Sequence, residues 1–410
     1  MGRKSKSNTM KPRFVDPFTP NRPVDDPERF YGRTEPVSEM VDSLFQIKNQ
    51  NPKHTIVTGD RGVGKSSLLM QIQLTSNGVN SLTDRFKIDR GVDKFNFLSV
   101  WHDVDATQNA FDLALAILGK FESAFKKFLS GFSLEIDLAG FGKLGRDKQN
   151  PINISSLIDE FVVRIGKVAE GAEKNKKDGV LIFIDELDRI KPDSMISSFF
   201  KLTSERLARD GIKRVGFVCA GITGAVQKLE EEHASILRTF RDVPLPRFAK
   251  EESALILKEG FGKANHKCSM PNFEDRVLEV TMGLPEPIHL LGSEMLSVDI
   301  DGILLEDDFE NAIKKIVSDV RKNKLASLLR KAGGGKYQKI VEAIAKHDKK
   351  IVPLEFIAKV IGQEQSQFST NMATLVDREI IFKPAIGHYA FTDPMLKEYV
   401  KMNGVLTLDE

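Results

Sequence analysis

The 410-residue chain is short of several things, and each shortage narrows what it can be. It has two cysteines, Cys219 and Cys268, too few for a disulfide framework. Cys219, inside the apolar run VGFVCAG, reads as a small buried hydrophobe, and a reducing, cytoplasmic setting is expected. No stretch reaches the ~18 uninterrupted apolar residues a membrane helix needs, so no membrane partner is expected. The opening residues MGRKSKSNTMKPR carry charge without an apolar core behind them, so no secretory leader is expected. Neither sign of charge prevails: 60 Lys and Arg stand against 58 Asp and Glu, a formal net charge of +2. Any attraction to nucleic acid must therefore be local. Internal repeats and low-complexity tracts are also lacking.

What is present is ordinary globular composition, 41% hydrophobic and 29% charged, at a length that predicts two or three domains. Residues 1–24 are rich in Pro, Lys, Arg and Ser and read as a disordered basic arm, either a solvated tail or a contact to phosphates. Residues 25–247 alternate helical and strand patterns. HTIVTG, FNFLSVWHDV, VLIFID and VGFVCAG are strands between helices, the pattern of an α/β fold with a parallel sheet covered on both faces. GFSLEIDLAGFGKLG (131–145) alternates apolar and polar residues with period two and predicts a protruding β-hairpin, partner-contacting or decorative. Residues 248–332 are helical, and AGGG (332–335) predicts a flexible joint. In 336–402, three short helices precede two short strands around Ala385–Gly387, the order of a winged helix-turn-helix.

The chemistry starts at TGDRGVGKSSLL. Gly59, Asp60, Arg61, Gly62, Val63, Gly64, Lys65 and Ser66 complete G-x-x-x-x-G-K-[ST], with a strand before and a helix after. The glycines let backbone N–H groups turn inward onto phosphate oxygens, and the helix N-terminus adds partial positive charge. Lys65 is expected on the β- and γ-phosphates and Ser66 on Mg²⁺, with Ser67 completing the set of loop residues. Further on, five apolar residues deliver Asp185 and Glu186 to the C-terminal end of a buried strand, where α/β sheets place ligands. Asp185 is expected to hold Mg²⁺ through water, and Glu186 to polarise the attacking water; a helix N-cap is the plainer alternative. Asn175–Asp178 fits the guanine-reading N-K-x-D pattern. It follows a polar helix end and precedes the Asp-Glu strand, so it reads as a lysine-rich loop and the nucleotide as ATP. Thr223, beyond VGFVCAG, is placed either to meet the γ-phosphate or to cap the next helix. SILRTFRDVPL offers Arg238 and Arg241, either one a candidate to reach a neighbouring subunit's γ-phosphate or to form a surface salt bridge.

These residues resemble the AAA+/STAND side of the P-loop ATPases, and more narrowly the archaeal-type ATPases related to origin-recognition initiators, over about residues 18–400. PFTPNRPVDDPERFYGR resembles that family's entry segment, which implies that Tyr31, Gly32 and Arg33 lie near the adenine. SILRTFRDVPL resembles its R-x-F-x-x-h-x-L stretch, which implies that Arg238 is the arginine acting in trans, with Arg241 second. GLPEP resembles the lid turn in which a proline, here Pro285, backs the nucleotide. HYAFTDPMLKEYV resembles the end of the family's winged helix. The lid arginine of many AAA+ proteins is not evident after Gly283, where His289 stands. The implied architecture is an AAA+/STAND-like P-loop core, a helical lid and a C-terminal winged helix. Implied with it are ATP and Mg²⁺ bound between core and lid, and a homo-oligomer.

The reading helix QEQSQFSTNMATLVDR is rich in amides and hydroxyls that can meet bases, yet residues 336–410 hold ten Lys or Arg against ten Asp or Glu. Phosphate neutralisation supplies most DNA affinity, so this module alone is a poor DNA binder. Three functions are expected in turn. The first is an ATP-hydrolysing, oligomerising switch acting on a protein or DNA client. The second is a DNA-binding initiator or loader that grips duplex with winged helix and basic arm. The third is an ATP-bound scaffold with little turnover that recruits an effector protein.

Overall fold

A computed structural model describes residues 15–128, 141, 153–191, 194–222, 224, 227, 229–230 and 236–405. The chain divides into two units, Pro23–Pro246 and Met1–Arg22 with Arg247–Glu410.

The first unit contains α1 (Thr34–Lys48), β1 (His54–Thr58), α2 (Lys65–Ser76), α3 (Ser81–Arg85), β2 (Leu98–Asp103), α4 (Ala110–Phe128), α5 (Ile154–Lys174), β3 (Val180–Asp185), α6 (Ile196–Arg209), β4 (Val215–Gly221) and β5 (Phe240–Pro244). The strands form one parallel sheet in the order β2-β3-β4-β1-β5. Every residue of β1, β3 and β4 is buried, which is why β3 and β4 read as apolar runs rather than alternating ones; β1 buries His54, Thr55 and Thr58 with Ile56 and Val57. Successive residues of β3 feed opposite cores. Val180, Ile182 and Ile184 join Phe161, Phe199 and Phe217, whereas Leu181 and Phe183 join Val41, Leu69 and Val57. Helices cover both faces, and the sheet carries its C-terminal strand ends to one edge.

β5 is absent from the sequence reading. It is an edge strand of pattern buried-exposed-exposed-buried-exposed, and Arg241 and Asp242 occupy its exposed positions, so neither a hydrophobic run nor alternation announces it. Of the proposed 131–145 hairpin, only Phe141 is among the described residues. Its ring stacks on Phe111 at 5.3 Å, beneath the Arg164 guanidinium.

The second unit contains α7 (Lys250–Lys263), β6 (Lys267–Cys268), α8 (Phe273–Thr281), α9 (Pro285–Val298), β7 (Ile303–Leu304), α10 (Glu306–Lys315), α11 (Lys322–Ala332), α12 (Lys336–Lys346), β8 (Val352–Pro353), α13 (Leu354–Ile361), α14 (Ser369–Asp377), β9 (Ile381–Ala385), β10 (His388–Phe391) and α15 (Met395–Asn403). β8, β10 and β9 form a three-stranded antiparallel sheet, one strand more than the sequence suggests, because Val352 pairs with Tyr389.

Two further expectations differ from the structure. Residues 1–14 lie outside the described residues; within 15–24, Pro17, Phe18, Thr19 and Val24 are buried, while Val15 and residues 21–23 are exposed. Phe18 is 5% exposed, because Gly260 and Gly292 leave a notch for its ring: a Cβ on either would stand 2.3 or 2.5 Å from it. AGGG also does not part the lid from the C-terminal helices. Arg378 donates to the carbonyl of Ala332 (2.8 Å) and lies over Tyr337, while Arg321, just before α11, pairs with Asp393 at 3.1 Å, just before α15.

Candidate functional site

β1 ends at Thr58, and the chain must then turn sharply beside β5. Gly59 has φ +156°, and a Cβ there would lie 2.5 Å from the Leu245 carbonyl oxygen. Gly64 has φ +99° and caps α2. Both positions demand glycine, one for close approach and one for backbone conformation. Between them the Val63 N–H donates to the Asp60 carbonyl at 3.3 Å, and the Val63 side chain is buried in the core. Lys65 opens α2, and its Nζ donates to the carbonyls of Gly59 (2.9 Å) and Asp60 (3.0 Å), lying back over the loop it follows. Burial lowers the Lys65 amine below the usual lysine range, opposed by the carboxylates of Asp188, Asp185 and Asp60.

The structure brings the two motifs together. The Ser66 hydroxyl stands beside the Asp185 carboxylate and helps hold its charge, and the Glu186 N–H donates to Asp185 Oδ1 at 2.8 Å. Burial pushes the Asp185 carboxyl up; Asp103 adds to this, while Ser66, the Glu186 N–H and Lys65 oppose it. Asp103, the residue in register with Asp185 on the neighbouring strand, was not singled out by sequence. The signal was available in principle, since parallel neighbours end at one edge. Glu186 sits at φ +62°, a conformation non-glycine residues rarely hold, and its carboxyl is also pushed up by burial and by Asp185, Asp103 and Asp188. Opposing them is Arg189, whose Nη2 lies 2.8 Å from Glu186 Oε2.

The remaining candidates fall in different places. Tyr31 is buried, with the Arg85 guanidinium 5.4 Å from its ring centre, and Arg85 also donates to the carbonyls of Pro27 (2.5 Å) and Phe30. Gly32 and Arg33 both have positive φ. The Arg33 guanidinium donates to the carbonyls of Val63 (3.3 Å) and Pro246. Ser67 accepts the Val24 N–H at 3.0 Å, and Gln71 donates to the Val24 carbonyl at 2.8 Å, fixing the entry segment along α2. Asp60 and Arg61 are exposed. Pro285, at the first position of α9, belongs to the second unit, as does His289, whose Nδ1 accepts the Thr19 N–H at 3.1 Å. Thr223 lies outside the described residues.

Arg238 and Arg241 are not brought to the phosphate loop of their own chain. Both stand at the start of β5, where Phe240 pairs with His54, the far end of β1 from the loop. Arg241 pairs with Glu39 at 3.3 Å, and Arg238 is exposed. Asn175–Asp178 precedes β3 and is spent on stitching. Asp178 pairs with Lys48 and accepts the Asn96 N–H at 2.7 Å, while Lys177 donates to Asn96 Oδ1 at 2.7 Å. The length of β3, at about 3.3 Å per residue, separates it from Asp185.

The donor set suits a nucleotide with a hard cation. A glycine-bounded loop runs into a helix N-terminus, an ammonium rests on loop carbonyls it can leave, and a hydroxyl and a carboxylate meet at one point. Among the described residues no group of three or more His, Cys, Asp or Glu could hold an ion by itself. Ser66 and Asp185 offer the one or two protein oxygens Mg²⁺ takes when phosphates complete its shell.

Comparison with known proteins bears on the fold. The chain has an α/β P-loop fold of the AAA+ kind. The ORC2 protein of Aeropyrum pernix, in ADPNP-ADP complexes, superposes with a TM-score of 0.50 at 13% identity, covering 98% of this chain and 96% of that one. Also similar are the Cdc6p of Pyrobaculum aerophilum (TM-score 0.44, 14% identity, 92% and 94% covered) and the RuvB Holliday junction branch migration motor of Thermotoga maritima (0.43, 14%, 91% and 95%). Residues 334–400 match a domain of unknown function (DUF8462). No curated protein matches the chain. Among the described residues, no helix is long and apolar enough to cross a membrane.

Proposed function

We propose that the chain binds ATP with Mg²⁺ at Gly59–Ser67, hydrolyses it, and acts as an oligomeric switch on a protein or DNA client. The observation that carries this reading is the meeting of Ser66 and Asp185, with Lys65 and Glu186 beside them. Loop N–H groups and Lys65 receive the phosphates, Lys65 exchanging the carbonyls of Gly59 and Asp60 for phosphate oxygens. Ser66 and Asp185 hold the ion, which when bound neutralises phosphate charge. Glu186 accepts a proton from the attacking water once its carboxylate leaves Arg189. Arg238, exposed and away from its own loop, serves a neighbouring subunit, with Arg241 second. Thr223 meets the γ-phosphate, and Tyr31 borders the base.

A second reading, a DNA-binding initiator or loader, is favoured by one observation. We read residues 336–402 as a winged helix, and its charge is not limited to its own residues. From Arg321 to Val341 there are seven Lys or Arg and no Asp or Glu; Arg321 and Lys324 pair with Asp393, and α11, which carries others of them, is tied to the C-terminal helices through Arg378. Lys336 donates to the Gln367 carbonyl at 3.4 Å, which sets a cation beside the amide-rich start of α14. The test is ATP turnover with and without duplex DNA at low and moderate salt. Stimulation that fades with salt supports the initiator reading, and turnover indifferent to DNA supports a protein-triggered switch. No turnover with tight ATP binding would instead support a scaffold.

A further inference from the structure

We propose that Arg33 is a positioning residue for the phosphate loop, pinning the Val63 carbonyl and so aiming the Gly64 N–H at bound phosphate. The inference rests on the nucleotide reading of Gly59–Ser67. The family resemblance puts Arg33 near the base; its guanidinium contacts in this chain point elsewhere. It is 6% exposed, and two of its acceptors are main-chain oxygens, Val63 at 3.3 Å within the loop and Pro246 beyond β5. Its own carbonyl accepts the Val37 N–H at 3.0 Å, so the residue is fixed as the cap of α1, a helix buried along one face. The anchor is therefore rigid at both ends.

The consequence follows from peptide geometry. A trans peptide is planar, with its C=O and N–H pointing in opposite directions. Holding the Val63 oxygen toward Arg33 turns the Gly64 N–H the other way. The buried Val63 side chain and the Val63 N–H on the Asp60 carbonyl place the residue, and Arg33 adds a hold on its carbonyl. Gly62, at φ +79°, has no atom within 4 Å of where a Cβ would stand, so the loop's outer turn is unpacked. Glycine on both sides of Val63 leaves the flanking dihedrals free. A guanidinium is suited to the task because its planar fork holds its N–H donors in fixed directions toward two carbonyls, which a freely rotating ammonium does not.

The test compares ligands that share phosphates but not a base. ATP, ADP and inorganic tripolyphosphate, each with Mg²⁺, are titrated against the full chain and against Arg33→Met and Arg33→Lys. Arg33→Met is expected to weaken ATP and tripolyphosphate alike, by about tenfold for the loss of a charge-assisted hydrogen bond. Arg33→Lys should fall between, and the effect on KM should exceed that on kcat. Circular dichroism and melting establish that each variant is folded; should Arg33→Met fail to fold, Arg33→Lys carries the same comparison. Weakened ATP with unchanged tripolyphosphate overturns the proposal in favour of a base contact. Unchanged binding of both overturns it outright. A wild-type chain that binds neither ligand overturns the nucleotide reading, and this inference with it.

Discussion

The two units use buried charge in opposite ways. In Pro23–Pro246, charged groups converge on one edge of the sheet and are left only partly compensated. Lys65 is depressed by burial, Asp185 is pushed up by burial and by Asp103, and Glu186 is pushed up by burial and by Asp185, Asp103 and Asp188. In the second unit, buried charges meet partners from other helices. Arg321 reaches Glu286 and Asp393, Lys324 also reaches Asp393 (3.1 Å), and Lys350 meets Glu398 at 2.8 Å. Burying a charge is costly unless it is paired. The second unit offsets part of that cost with carboxylate partners, although burial still lowers the pKa of the Arg321 and Lys350 cations; in the first, Lys65, Asp185 and Glu186 gather at one edge of the sheet.

Mutations sort the two uses. The largest effect is expected from Glu186→Gln, which should lower ATP turnover by two or more orders of magnitude while leaving ATP bound and the melting temperature nearly unchanged. Steady-state turnover beside equilibrium binding checks it, and parental turnover would remove Glu186 from its assigned role. In the second unit, Asp393→Ala removes one of the two carboxylates paired with the buried Arg321 guanidinium and should cost about 2 kcal/mol of stability, read by urea unfolding, with little change in intrinsic ATP affinity. If that variant lost ATP affinity and kept its stability, the division between the units would be wrong.

Acid offers a similar test. His54 is buried, its Nδ1 accepts the Phe217 N–H at 3.1 Å, and burial lowers its pKa to about 4 from 6.5. The unfolded chain then binds the proton more readily. The stabilising contribution of the neutral ring is full above about pH 6.5 and is lost as pH falls toward 4, by about 3 kcal/mol. Lys397 has the opposite window. Burial lowers its pKa to about 8 from 10.5, so its unit should gain stability as pH rises between those values, and Lys397→Met should flatten that slope. Unfolding free energies against pH, with each variant as its own reference, decide both. The smallest effect is expected at Arg189. The exposed pair with Glu186 is weak as a stabilising contact, and Arg189→Gln should leave stability within about 0.5 kcal/mol while changing kcat a few-fold upward as the carboxylate is released. A fall in kcat would show that Arg189 assists Glu186 instead.

The chemistry was legible in sequence where a motif confines it to neighbouring residues. Gly59–Ser66 and Val180–Glu186 each announce themselves, and the parallel sheet follows from the unbroken apolar runs around them. What could not be read depends on contacts across long separations. Arg33 meets Val63 and Pro246, Arg85 meets Pro27 and Phe30, and Phe18 enters a notch made by Gly260 and Gly292. No local period encodes such partners. β5 escaped because an edge strand bearing Arg241 and Asp242 lacks both strand signatures. AGGG looked like a joint because glycine is flexible in isolation, whereas here Arg378 holds the Ala332 carbonyl.

The central claim is that Lys65 and its loop constitute a nucleotide site, and the most direct measurement is ATP binding with Mg²⁺ by the full chain beside Lys65→Ala. The account predicts binding by the parent and a loss of a hundredfold or more, roughly 3 kcal/mol, in the variant at unchanged melting temperature. Equal affinity in the two proteins would contradict it.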